Sequence, residues 1–207
     1  MPKNLKIDFS DVKQDRSQKT LDDLLQAAYE IVEAANTKSF TSRSLASKAG
    51  YSLGTLSQRL GSVEDVFFWA IQKGREIKLN DYAESVSQFD PQLSVQDFVE
   101  SFVAKSFSSI GIVGPPVMRF YDERFTKKYG LTTDYFDYTN VVADAYFEMH
   151  TRNETNTFRI LSLEEIRLIF KASLSLLERP FAAEDPIAGS EEHRRIAVTA
   201  ITAMLAK

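Results

Sequence analysis

Apolar residues recur along most of this chain at intervals of three and four positions, the spacing that places side chains on one face of an α-helix. The clearest example lies near the N-terminus, where Leu21, Leu24, Ala28, Ile31 and Ala35 fall on one face. Runs that alternate apolar and polar residues, as strands do, are almost absent from the sequence. The pattern therefore predicts an all-α protein.

Capping residues, glycines and prolines divide this pattern into separate helices. Two capping boxes are predicted, Ser94 with Asp97 and Ser162 with Glu165, and Pro180 is predicted to end the helix that the second box starts. The predicted helices span residues 17–36, 43–49, 53–59, 63–82, 94–111, 117–127, 133–150, 163–179 and 190–205.

The second and third predicted helices are short and lie close together. Thr41 and Ser52 are suitable N-caps for them, and Gly50 can take the positive φ that ends a helix. Two short helices joined by a tight glycine turn predict a helix-turn-helix, whose second helix enters the major groove of DNA. Gly54, in that second helix, lets the backbone come near the DNA.

Charge is unevenly distributed in a way that favours this interpretation. The net charge of the chain is −4, which on average opposes binding to phosphates. Residues 37–60 nevertheless contain Lys38, Arg43, Lys48 and Arg59 and no acidic residue. A basic segment attached to an acidic remainder is typical of a DNA-binding module joined to a domain with another role.

The segment FTSRSLASKAGYSLGTLSQRLGSVEDVFFWAI, residues 40–71, resembles the DNA-binding signature of the TetR family of transcriptional regulators. The resemblance extends over residues 17–71. It implies a flexible N-terminal tail at 1–16, a three-helix helix-turn-helix DNA-binding domain at 17–62, and a larger helical ligand-binding and dimerisation domain at 63–207. The function it implies is sequence-specific DNA binding, most often as a repressor that a small apolar or aromatic effector releases.

Carried over position by position, the resemblance implies which residues meet double-stranded DNA. The predicted DNA-binding residues are Thr41, Arg43, Lys48, Ser52, Gly54, Thr55, Ser57, Gln58 and Arg59. Arg43 is suited to a bidentate contact with guanine, and Gln58 to one with adenine. Two positions depart from the family pattern, since Ser57 stands where a tyrosine is usual and Val63 where a lysine is common.

Aromatic residues are concentrated between positions 98 and 147. Most aromatic residues at helical spacing belong to a core, but some can line an apolar pocket between helices. The residues predicted to bind the small-molecule effector are Phe102, Phe120, Tyr121, Tyr138 and Phe147.

The last two predicted helices each carry an apolar face, and the final helix is apolar or small nearly all round. The apolar side chains of such a helix must be buried on more than one side, and a second copy of the chain can bury them. In the TetR family this pair of helices forms the homodimer interface, and a dimer suits a palindromic operator. The predicted interface residues are Ile166, Phe170, Leu174, Leu177, Ala197, Ile201 and Met204.

Other classes of protein fit the sequence less well. Cysteine is absent and only His150 and His193 offer imidazole, so we expect no metal site and no cofactor. His150 has Asp144 and Glu148 nearby but no evident nucleophile or oxyanion site, which argues against an enzyme. The sequence contains no signal peptide or membrane span, which predicts a cytoplasmic protein. The alternative that remains open is a helical protein-interaction module with weakened or lost DNA binding.

Overall fold

The computed structural model describes residues 15–60, 62–113, 115–130 and 137–207. Its helices are α1 (Asp15–Glu33), α2 (Ser42–Ala49), α3 (Leu53–Arg59), α4 (Val63–Ser87), α5 (Val95–Val113), α6 (Pro115–Tyr129), α7 (Asn140–Arg152), α8 (Leu163–Ala182) and α9 (Glu191–Leu205). Within those ranges, pairing between extended segments is limited to an isolated bridge between Phe158 and Ala206. The predicted all-α fold class is confirmed.

Most helix boundaries agree with the sequence prediction, and both predicted capping boxes are present. Two helices differ. α4 continues to Ser87, five residues beyond its predicted end. The helix predicted from 133 begins at Asn140, after a 3-10 turn at Asp137–Thr139. The predicted start at Thr133, the break at Gly61 and the tail up to residue 14 lie outside the described residues, whereas Asp15 and Arg16 belong to α1.

No helix built from described residues is both long enough and apolar enough to cross a membrane.

The chain forms two compact units. The first comprises Met1–Arg75 and Pro116–Tyr135, and the second comprises Glu76–Pro115 and Phe136–Lys207. α4 therefore contributes its first half to one unit and its second half to the other. The unit that contains α2 and α3 is larger than the 17–62 segment predicted to bind DNA, whose functional boundaries stay a prediction.

In the first unit, α1, α2 and α3 pack around a small apolar core. Leu24 and Ala28 of α1 and Leu45 of α2 are fully buried, and Ala46 and Leu56 are almost so. The alanines allow close approach of the helix backbones because their side chains occupy little space. This is the predicted three-helix arrangement.

An aromatic cluster holds α6 in the same unit. Phe68 of α4 is fully buried, and its ring centroid lies 5.9 Å from Phe120, 5.7 Å from Tyr121, 5.4 Å from Phe125 and 6.3 Å from Tyr129. Most of these rings meet edge to face, the arrangement that the charge distribution of aromatic rings favours. The pattern of the sequence did not predict this association of α6 with the helix-turn-helix.

The second unit contains α5, α7, α8 and α9, with α7 and α8 running antiparallel. Their direction is visible in two ion pairs: Arg167 lies 2.9 Å from Asp144, whereas Lys171, further along α8, lies 2.8 Å from Asp137, which precedes α7. Tyr146 of α7 is fully buried at the centre of this unit.

α8 does not end at residue 179 as predicted but continues past Pro180 to Ala182. Proline has no backbone N–H, so the carbonyl of Leu176 loses its partner within the helix. The Nε2 atom of His193 donates a hydrogen bond of 3.0 Å to that carbonyl, and its Nδ1 atom accepts one of 3.1 Å from the N–H of Gly189. The buried imidazole is therefore neutral, with its proton on Nε2, and it replaces the bond that Pro180 cannot make.

The residues predicted for the dimer interface lie mostly inside the single chain. Leu174 and Met204 are partly exposed, but five of the seven are buried within the second unit: Ile166, Phe170, Leu177, Ala197 and Ile201. The apolar face that suggested an interface is the face that α8 and α9 turn toward their own core. Another side of α8 carries Leu168, which is 70% exposed, and the position of any interface stays a prediction.

We expect His193→Ala to lower the free energy of unfolding by about 2–5 kcal/mol, since it removes the partner of the Leu176 carbonyl and of the Gly189 N–H and opens a cavity in place of a buried side chain. Adding Pro180→Ala should recover about 1 kcal/mol, because the new N–H at position 180 can pair with the Leu176 carbonyl. Urea denaturation of the four proteins in this double-mutant cycle measures both effects. If Pro180→Ala changes the free energy of unfolding equally in the presence and in the absence of His193, then His193 does not replace the hydrogen bond that Pro180 cannot make.

Candidate nucleic-acid interface

The geometry of the helix-turn-helix follows from three local features of the sequence. The Oγ1 atom of Thr41 accepts a hydrogen bond of 3.1 Å from the N–H of Ser44 and so caps α2. Gly50 ends α2 with a φ of +76°, a conformation that costs other residues energy. The Oγ atom of Ser52 accepts a hydrogen bond of 3.1 Å from the N–H of Thr55 and starts α3. These features are the ones that the sequence predicted.

A further contact attaches the turn between α2 and α3 to α1. The hydroxyl of Tyr51 donates a hydrogen bond of 2.6 Å to Oδ2 of Asp23, and this bond raises the pKa of Tyr51. The sequence did not predict this contact, because the two residues are distant along the chain and belong to no recognisable motif.

Eight of the nine predicted DNA-binding positions are exposed, and Thr55 is partly so. These side chains are not all equally available for contacts with DNA. Thr41, Ser52 and Thr55 take part in helix caps, and Ser52 and Thr55 also share a hydrogen bond of 3.0 Å between their hydroxyls. Lys48 forms an ion pair of 2.8 Å with Glu30 of α1, which lowers the pKa of Glu30 and reduces the positive charge available to a phosphate.

The arginines on this surface are more available. Arg43 and Arg59 are exposed, and neither forms an ion pair with a residue in the part of the chain that the structure describes. Ser57 and Gln58 are also exposed on α3. Leu53, at the start of that helix, is 50% exposed. An exposed surface with hydrogen-bonding groups and one large apolar side chain is suited to the edges of DNA bases.

Gly54 has no structural role that requires a glycine. A Cβ atom at this position would meet only the Ser52 hydroxyl, at an ordinary distance of 3.6 Å. Glycine inside a helix is less stable than alanine by roughly 0.5–1 kcal/mol. The chain thus retains a less stable residue on the exposed face of α3, where an absent side chain would let a ligand approach the backbone.

At the start of α4, a carboxylate is neutralised by a cation from α6. Lys128 Nζ lies 2.6 Å from Asp65 Oδ1 and donates to Ser62 Oγ at 3.1 Å, and the hydroxyl of Tyr129 donates to the same carboxylate at 2.6 Å. Val63 occupies the position where a lysine was expected from the family pattern. Lys128 brings an ammonium group to this end of α4 from a different helix.

The residues predicted to bind an effector fall in both units. Phe120 and Tyr121 belong to the first, where the Tyr121 hydroxyl accepts a hydrogen bond of 2.6 Å from Gln72 and burial raises the pKa of the phenol. The others belong to the second unit and are partly buried there: Phe102, Tyr138 and Phe147. The structure therefore does not gather the five in one compact unit, and their role as ligand contacts stays a prediction.

Two solved structures are similar to this chain over nearly its whole length. One is a protein of Mesorhizobium loti MAFF303099 assigned to the TetR family of transcriptional regulators, with a TM-score of 0.63, 13% identity, and coverage of 94% of this chain and 100% of that one. The other is a TetR family transcription regulator from Marinobacter aquaeolei VT8, with a TM-score of 0.53, 16% identity, and coverage of 93% and 98%. This chain has the TetR-regulator fold.

No protein-family model matches the chain, and neither does any curated protein. At the identities found, the likeness to TetR regulators is one of fold, so the roles of individual residues depend on the site itself.

We expect Gly54→Ala to raise the free energy of unfolding by up to about 1 kcal/mol and to weaken binding to DNA, because the new methyl group separates the α3 backbone from its ligand. Urea denaturation and fluorescence anisotropy measure the two effects. The matched control is Gly74→Ala in α4, where a Cβ would also make an ordinary contact, 3.5 Å from Tyr29. Equal loss of DNA binding in both variants would contradict a specific role for Gly54.

Proposed function

We propose that this protein is a sequence-specific DNA-binding transcriptional regulator that represses while bound to its operator and is released by a small-molecule effector. The observation that carries the proposal is the capped helix-turn-helix with an exposed polar face on α3, in a chain of the TetR-regulator fold.

Recognition of bases would come from α3 and the start of α2. Arg43 carries the guanidinium that can bond to two acceptors of guanine at once, and Gln58 can do the same with adenine. The exposed side chain of Leu53 is suited to the methyl group of thymine. Lys38 and Arg59 would contact phosphates, which supply affinity without sequence preference.

The effector would act by a shift between two conformations, one of which binds the operator more tightly. α4 is the element suited to connect effector binding with the change in DNA affinity, because this one continuous helix contributes to both compact units. For a repressor to be released, the effector must bind more tightly to the conformation that has lower affinity for DNA.

The protein would act as a homodimer on a palindromic operator, with two copies of α3 spaced about 34 Å apart, one turn of DNA. The exposed side of α8 supports this assembly. Leu168, Ala172 and Ser175 are exposed there at helical spacing, and on α9 Thr199 and Ala203 are exposed and small. Small residues beside a large exposed apolar one allow two helices to approach closely and bury that side chain.

The decisive experiment measures binding of the full chain to a DNA fragment from upstream of its own gene, by fluorescence anisotropy at several salt concentrations. Binding should weaken steeply with salt. Arg43→Ala should lower affinity by about 10- to 100-fold through the loss of a bidentate base contact. Lys48→Ala should have a smaller effect, because its charge is already paired with Glu30.

Arg159→Ala is the charge-matched control, since it removes an exposed arginine from the second unit. Unchanged affinity in this control, with a loss in Arg43→Ala, assigns the effect to the helix-turn-helix. Binding no tighter than to unrelated DNA would reject the proposal and favour the protein-interaction module.

For the dimer, we expect Leu168→Arg to convert the protein to monomers, because it places a charge where an apolar contact is proposed. Analytical ultracentrifugation measures the assembly state, and circular dichroism checks that the helices remain. Leu93→Arg is the control, since Leu93 is 42% exposed in the same unit but lies outside α8 and α9. A dimer that survives Leu168→Arg would place the interface elsewhere.

A further inference from the structure

Among the residues of the second unit that the structure describes, three buried side-chain atoms have no hydrogen-bond partner. They are the hydroxyl oxygen of Tyr146, the Oγ atom of Ser173 and the Oδ1 atom of Asn140. Tyr146 is fully buried and Ser173 is 2% exposed. Most buried polar atoms in folded proteins are paired, since an unpaired one has lost its bonds to water without replacement. Three such atoms in one unit therefore need an explanation.

The three residues lie on two helices that pack against each other. The ring of Tyr146 lies 5.3 Å from that of Phe170, and Ser173 is the next buried position of α8 after Phe170. Because α7 and α8 are antiparallel, Asn140, between Asp137 and Asp144, lies alongside the stretch of α8 from Arg167 to Lys171, and Ser173 follows that stretch. The unpaired atoms thus all belong to the pair of helices α7 and α8, which pack against each other.

The surroundings of Tyr146 are aromatic, and the charges on these stretches of α7 and α8 form ion pairs with each other, Asp144 with Arg167 and Lys171 with Asp137, which precedes α7. The ring of Tyr146 lies 5.2 Å from Phe98, 6.2 Å from Phe158 and 5.4 Å from His150. No Asp, Glu, Lys or Arg is buried among the residues that the structure describes. A charged molecule would therefore find no buried opposite charge among the described residues, and bringing it in would cost its hydration energy.

The chemistry of the unpaired atoms is also specific. Burial raises the pKa of Tyr146, so its phenol remains protonated and can donate a hydrogen bond. The hydroxyl of Ser173 can donate or accept, and the amide oxygen of Asn140 accepts. These groups match a ligand that carries a hydroxyl or carbonyl on an otherwise apolar body.

We propose that Tyr146, Ser173 and Asn140 form the hydrogen-bonding site for the effector, and that the effector is a neutral, mainly apolar small molecule with a hydroxyl or carbonyl group. The regulatory role of this molecule rests on the function proposed above, whereas the binding site itself does not. None of these three residues was predicted as a ligand contact from the sequence, because a buried tyrosine on a helix face is more often part of a core.

The test uses two pairs of probes that differ only in a hydroxyl replaced by a methyl group: phenol with toluene, and cyclohexanol with methylcyclohexane. Calorimetry measures their binding to the full chain, and thermal unfolding measures stability with and without them. The hydroxyl probe of at least one pair should bind more tightly than its hydrocarbon partner. Tyr146→Phe and Ser173→Ala should each lower the affinity for that probe by about tenfold, the size of one hydrogen bond, and leave hydrocarbon binding unchanged.

Tyr82→Phe is the matched control. Tyr82 is a buried tyrosine of the same unit, but its hydroxyl donates a hydrogen bond of 3.2 Å to Ser109. Without probe, Tyr82→Phe should lower the melting temperature, whereas Tyr146→Phe should leave it unchanged or raise it. With probe, Tyr82→Phe should bind as the unmodified protein does.

Three results would overturn the proposal. One is an equal loss of melting temperature in Tyr146→Phe and Tyr82→Phe, which would mean that the Tyr146 hydroxyl already has a partner such as water. Another is that the hydroxyl and hydrocarbon probes bind equally tightly, or that no probe binds. The third is full hydroxyl-probe affinity in both Tyr146→Phe and Ser173→Ala.

The anisotropy assay on the same preparation separates this inference from the proposed function. Specific DNA binding without any hydroxyl-dependent probe binding rejects the site alone. Hydroxyl-dependent probe binding without DNA binding rejects the regulator and retains the site.

Discussion

The packing of Phe68 against the rings of α6 is the interaction on which the helix-turn-helix unit depends. It fixes one face of α4, while on another face Phe67 stacks on Phe40, with ring centroids 4.7 Å apart, just before the capped start of α2. Phe40 also meets Phe120 of α6 at 4.8 Å. Three segments distant along the chain therefore share one aromatic core, and the orientation of α2 and α3 is set by contacts that the three-helix motif does not contain.

Buried polar groups divide into two kinds in the second unit. His193 shows the first kind, since both ring nitrogens are paired and the imidazole completes the backbone hydrogen bonding of α8 at Pro180. Tyr146 and Ser173 show the second, since their hydroxyls have no partner. In this unit the chain supplies a hydrogen-bond donor even for the carbonyl that Pro180 leaves unpaired. Buried hydroxyls that still lack a partner in the same unit therefore point to a partner from outside the chain.

The sequence was sufficient where structure is determined locally. Thr41, Gly50 and Ser52 define the helix-turn-helix because each acts on the backbone within a few residues. The sequence was insufficient where the structure depends on a contact between residues far apart in the chain. The continuation of α8 depends on His193, and the association of α6 with α4 depends on ring packing between residues far apart in the chain. The apolar face that includes Ile166 and Ile201 could equally cover a chain's own core or a partner, since periodicity does not distinguish the two.

The absence of formal charge from the interior of the described second unit has a consequence for the cell that holds this protein. Molecules admitted to such an interior are those that leave water readily, and these same molecules dissolve in lipid. They cross bilayers by diffusion, so their concentration on the two sides of a membrane becomes equal without a carrier. The effector proposed above would therefore reach the protein without an import system, whereas charged metabolites held inside the cell would not enter this interior.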